Sequence, residues 1–169
     1  MPVSRRFTLA SLVLVAAFAL GGCSTTVTMT PAAGANDPLC AEVSVRLPGA
    51  VAGKDRVWTN AQATGAWGSP VVVALTCGLA APAPTAELQC VTLGGVDWLV
   101  DAADSPNLRM TSYGREPAVE VYVNTNPETG GVSSNEALEA LAPMVRQIPK
   151  ISECISPDVL PEDAADSAP

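Results

Sequence analysis

The sequence predicts an α+β domain: a small antiparallel sheet of four to five strands, helices packed on one face, and two disulfides. Extended apolar runs follow one another through short turns instead of alternating with helices, which makes the sheet antiparallel. Helix signals stand only at the two ends of the folded region. Of five cysteines in 169 residues, one lies beside an export-type leader, which leaves an even four for the domain.

The leader comes first. Met1 to Phe7 is a basic start with Arg5 and Arg6, and Leu9 to Leu20 is a run of twelve mostly apolar residues. A membrane-spanning helix needs about 20, so the run suits the apolar core of a signal peptide. Leu20-Gly21-Gly22-Cys23 follows and resembles the lipobox of bacterial lipoproteins. That resemblance implies a signal peptide over 1–22, and a Cys23 that is diacylated and becomes the new N-terminus. The twin arginines suggest the twin-arginine route. Thr8, however, stands where that route expects an apolar residue, so the general secretory route fits better. Two acyl chains on one cysteine make a stable anchor, at about 0.8 kcal/mol per buried methylene. The expected location is the outer face of the cytoplasmic membrane. Cleavage removes two of nine basic residues and none of seventeen acidic ones, so the net charge moves from −8 to −10. That charge would hold the domain off an anionic surface.

Residues 23–36 are small and polar and read as a flexible tether. Residues 37–156 form a single domain, and the acidic, proline-rich stretch 157–169 reads as a disordered tail. Asp37-Pro38 starts a helix with an N-cap acceptor and a proline in the first turn. Leu39, Val43 and Leu47 lie at four-residue spacing on it, and Pro48-Gly49 ends it. The stretch 50–69 is Gly- and Ala-rich and reads as irregular. Gly49 to Lys54 is too short between its glycines for a phosphate loop. Val71 to Cys77 is a buried strand, and Ala81-Pro82-Ala83-Pro84 a loop. Leu88–Leu93 and Val96–Val100 flank Gly94-Gly95, a hairpin signal because that turn needs positive φ twice. Leu108–Tyr113 and Ala118–Val123 are further strands, the latter with Val119, Val121 and Val123 on one face. Ser133 and Glu136 form a capping box ahead of the stripe Leu138, Leu141, Val145, Ile148, with Pro143 placed to kink or shorten that helix.

Cys40, Cys77, Cys90 and Cys154 permit three pairings. Cys77–Cys90 is favoured because both flank the 78–87 loop, leaving Cys40–Cys154 to staple the first helix to the end of the last. The absence of histidine removes Ser-His-Asp and Cys-His catalysis, and without a CxxC pair no metal site is expected. No cofactor is expected either. Nine basic residues cannot assemble a phosphate-tracking surface, which excludes nucleic acid as a partner.

Trp67-Gly68-Ser69-Pro70, Cys77-Gly78, Gly95-Val96-Asp97-Trp98 and Tyr113-Gly114-Arg115-Glu116-Pro117 together resemble a family of actinobacterial secreted proteins and lipoproteins of unknown function. The resemblance covers roughly 37–155. It implies an envelope location and a disulfide-bonded domain, and no reaction.

Tyr113, Arg115 and Glu116 join two strands at a sheet end, where Arg115 could grip a carboxylate or phosphate and Glu116 or Glu120 act as a base. The plainer reading is a turn locked by Gly114, Pro117 and an Arg–Glu pair. Trp58, Trp67 and Trp98 could stack on sugar rings, but in a core without phenylalanine they serve better as large fillers. Asp97 and Asp101 are a weak carboxylate pair. The expected function is therefore a lipid-anchored, non-catalytic envelope protein that binds or supports something outside the membrane, an envelope protein or a cell-wall ligand being the candidate partners. The alternatives are a ligand-binding lipoprotein for a cell-wall fragment or small metabolite, using Arg115, Glu116, Tyr113, Trp98 and Trp67, and an envelope hydrolase.

Overall fold

The computed structural model describes residues 26–154. The expected leader 1–22, the expected lipid acceptor Cys23 and the expected tail 157–169 lie outside the described residues. Among the described residues, eight strands form one antiparallel sheet in the order β1-β2-β3-β4-β8-β7-β6-β5, accompanied by two α-helices. This corrects the expected α+β domain with four to five strands: the fold is mostly sheet. The strands are β1 (Ala50–Val51), β2 (Lys54–Val57), β3 (Thr64–Trp67), β4 (Val73–Leu79), β5 (Gln89–Leu93), β6 (Val96–Asp101), β7 (Asn107–Tyr113) and β8 (Ala118–Asn124). The helices are α1 (Pro38–Ser44) and α2 (Ser134–Val145).

The surplus strands come from 50–69. β1 and β2 are too short and too polar to alternate, and they turn through Ala52 and Gly53, both at positive φ (47° and 73°). That is the primed geometry of a two-residue hairpin, supplied here by an unusual alanine. β3 is buried at every position, so it carries no period of two. A Cβ on its Gly65 would lie 2.8 Å from the Leu47 side chain and the Trp67 ring. Glycine thus makes room for the tryptophan, and composition alone reads the stretch as loop.

Two meanders meet at the centre. β1 to β4 run to the middle of the sheet, the proline-rich loop carries the chain to the far edge, and β5 to β8 return to close on β4. The register sets Val73 opposite Val123, Leu75 opposite Val121 and Cys77 opposite Val119. All six are fully buried, so the valine face expected for β8 forms the middle of the core. Both helices pack into this core. Asp37 caps α1 by accepting the Leu39 N–H (2.8 Å), Ser133 caps α2, and Leu138, Leu141, Val145 and Ile148 are buried. Pro143 stands in the last turn of α2, which ends at Val145. Trp67 and Trp98 are fully buried, with their indole N–H groups donated to Pro48 (3.0 Å) and Leu93 (3.4 Å) carbonyls. Each removes roughly 150–250 Å² from water, about 4–6 kcal/mol.

The disulfides join Cys40 to Cys77 and Cys90 to Cys154, correcting the expected pairing. The sheet order explains why. Four strand spacings separate β4 from β5, roughly 19 Å at about 4.8 Å each, whereas bridged Cα atoms stand no more than about 7 Å apart. The observed pairs have Cα separations of 5.6 and 6.0 Å.

The stretch read as a tether is tied down from Val27 onward. Val27 N–H donates to the Trp58 carbonyl (2.7 Å), Gly34 N–H donates to Gly78 (2.9 Å), and Ala35 is buried.

Candidate functional site

The turn between β7 and β8 carries the residues singled out by sequence, and the chain end after α2 folds onto it. Gly114 takes φ +66°, and a Cβ there would overlap the Ser152 carbonyl. The bare glycine lets its own carbonyl accept the Ile151 N–H at 2.7 Å. Arg115 is 4% exposed. Its Nη1 donates to the Ile148 carbonyl, its Nη2 donates to Gly95 (3.3 Å), and its Nε has no partner. Arg146 donates to the neighbouring Gly94 carbonyl at 2.7 Å. Two guanidiniums therefore grip consecutive carbonyls of the β5–β6 hairpin turn. Burial pulls the Arg115 pKa below its ordinary value; Asp97 opposes that shift and Arg146 adds to it.

Asp97, on β6, is 5% exposed. Its Oδ1 accepts the Thr92 hydroxyl (2.6 Å), its Oδ2 accepts the Cys154 N–H (3.2 Å), and Lys150 Nζ stands 3.4 Å from Oδ2. Burial alone raises the pKa of this carboxyl, but the bonds from Thr92 and Cys154 and the Lys150 charge outweigh it, so the net shift is downward. Lys150 also pairs with Glu153 at 2.8 Å, the leading cause of its raised pKa. The Cys90–Cys154 disulfide closes the assembly covalently.

Arg115, Asp97, Arg146 and Lys150 thus each contribute a contact that holds segment 146–154 to the β5–β6 hairpin or the β7–β8 turn. Glu116 is exposed and no hydrogen bond joins it to Arg115, so the expected Arg–Glu lock is absent; carbonyls take its place. Tyr113 is half-buried and lines a hollow of about 160 Å³ with Cys90, Cys154 and Glu153. Trp67 and Trp98 lie in the core and present no stacking face. A depression of about 470 Å³ is a trough beside the start of α2 lined by Leu108, Val132 and Ser133 among others, none of them a sequence candidate. Asp97 and Asp101 are four residues apart on β6, roughly 13 Å along a strand. Asp101 instead accepts the Ala103 N–H (2.9 Å). Among the described residues no three metal-ligating side chains cluster, and no helix is long and apolar enough to cross a membrane.

Lys150, Arg146 and the backbone of 148–154 were not legible as site components. Only Cys154 marked that segment as held to the domain. A family model described as a protein of unknown function (DUF3515) matches residues 7–152. No curated protein and no solved structure matches the chain.

Proposed function

The chain belongs to the DUF3515 family, whose function is unknown, and from that premise we propose that it is a non-catalytic, lipid-anchored envelope protein with a binding or scaffolding role. The observation that carries the reading is Leu20-Gly21-Gly22-Cys23 behind a twelve-residue apolar run, four residues ahead of Val27, where the chain first bonds to the domain. Two disulfides suit an oxidising compartment outside the membrane. The resemblance to actinobacterial secreted proteins and lipoproteins supports the same address.

A scaffolding role fits the way the ionisable cluster is consumed. Arg115 and Asp97 are buried and bonded to backbone and to neighbours, which equips them to hold the fold rather than to take a ligand. The ligand-binding alternative would need Trp67 and Trp98 at a surface, and the hydrolase would need its carboxylates closer than Asp97 and Asp101 stand. The test is metabolic labelling of the full chain with an alkyne fatty acid in a bacterial host, beside Cys23→Ser. We expect label and membrane association in the wild type and loss of both in the variant. An unlabelled wild type, or label that survives Cys23→Ser, would overturn the anchor.

A further inference from the structure

We propose that Trp58 is a second membrane contact, seating its indole in the interfacial layer of the bilayer that holds Cys23 and so fixing how the domain stands on that surface. The proposal rests on the lipid-anchor reading of Cys23.

Trp58 is 74% exposed, whereas Trp67 and Trp98 are fully buried. An indole left in water forgoes the burial that its two counterparts obtain, and its amphipathic ring suits the headgroup layer. Its position connects it to the anchor. The Trp58 carbonyl accepts the Val27 N–H (2.7 Å), Asn60 N–H donates to the Val27 carbonyl (3.1 Å), and Met29 N–H donates to Asn60 Oδ1 (2.9 Å). Val27 to Met29 are thus clamped along Trp58 to Asn60. Cys23 is four residues before Val27, at most about 14 Å of chain. A bilayer that holds acyl chains on Cys23 is therefore within one short span of the indole.

Charge points the same way. In a chain of net charge −8, neither 24–36 nor 57–86 contains a single ionisable acid or base, and these are the two stretches that pair at Val27–Trp58 and Gly34–Gly78. Asp37 and Glu116 line a hollow with Gly34 and Gly78, and Asp55, on β2, stands three residues before Trp58. Arg56 lines a hollow of about 160 Å³ with Val57 and Trp58, placing a cation beside the indole where lipid phosphates would lie. The acidic charge of the chain lies outside these two stretches, so the Trp58 side meets less repulsion from an anionic leaflet than the acid-bearing segments do.

The test uses the acylated full chain in phosphatidylcholine–phosphatidylglycerol vesicles, with and without phosphatidylcholine brominated near the headgroup. Bromolipid should quench the emission belonging to one of the three tryptophans, and Trp58→Ala should abolish that quenchable fraction while the protein still floats with the vesicles. Trp58 of the floated protein should also be shielded from aqueous acrylamide. Floated, labelled protein without bromolipid quenching overturns the proposal and leaves the anchor standing; if Trp58 is then still shielded from acrylamide, a second copy covers it instead. Equal quenching in the wild type and Trp58→Ala also overturns it. Loss of flotation together with absence of label on Cys23 overturns the anchor, and this proposal with it.

Discussion

Truncating Arg115 separates a structural staple from a ligand grip. Arg115→Ala leaves the Gly95 and Ile148 carbonyls without their donor and vacates a side chain that is 4% exposed. A hydrogen bond from a charged donor contributes about 1.5–3 kcal/mol. Two such bonds, offset by relief of a desolvated guanidinium whose Nε is already unpartnered, give a loss of about 3–4 kcal/mol out of a typical total of roughly 5–15. In urea, at unchanged slope, the midpoint should fall by about 1.5–2.5 M. Arg115→Lys keeps the charge but has one ammonium for two carbonyls, so it should lie between, at about 1–2 kcal/mol. Arg109→Ala, which removes an exposed pair with Glu120 (3.1 Å), should change stability by less than about 1 kcal/mol. Hydrogen exchange adds a local readout, because the Ile151 and Ser152 amides bond to the Gly114 carbonyl beside Arg115. Both should lose protection in Arg115→Ala. Stability within about 0.5 kcal/mol of wild type, with those amides still protected, would refute the staple and return Arg115 to the surface chemistry its sequence suggests.

Two further outcomes follow from the same geometry. A non-reducing digest should yield Cys40–Cys77 and Cys90–Cys154 peptides, and replacing either pair with alanine should cost about 4 kcal/mol, because the separations of 37 and 64 residues close long loops in the unfolded chain; a Cys77–Cys90 peptide would contradict the strand order. The pKa of Asp97 is lowered on folding from an ordinary 3.8, so its contribution is present above that pH and lost as pH falls through the folded value. Urea titrations at about pH 7 and about pH 3 should show the gap between wild type and Asp97→Asn narrowing in acid; a constant gap would mean the carboxylate charge adds nothing.

Local signals read the elements whose causes are local. Asp37-Pro38 and Ser133 start helices because a cap needs only its own turn, and Gly94-Gly95 makes a hairpin through its own dihedrals, with φ of 59° and 75°. The alternation of Val119, Val121 and Val123 survives because β8 has one buried face. β3 escapes for the opposite reason: buried on both sides, Thr64-Gly65-Ala66-Trp67 has no polar face to alternate with.

The residues with the most suggestive chemistry were the least legible. Arg115 has the same letters whether it faces solvent or a carbonyl at the far end of the chain, 33 residues away at Ile148. The cysteine pairs likewise turn on β4 closing against β8, which sends β5 to the sheet edge, four strands away from the β4 it follows in sequence. The sequence by itself determined the two helix starts, the glycine hairpin and the valine core face, since each is written within a few neighbouring residues. Strand order, disulfide partners, the burial of two tryptophans with the exposure of the third, and the conversion of Arg115 into an internal clamp were decided only by tertiary structure. They depend on which distant segments share a face, and no local pattern carries that information.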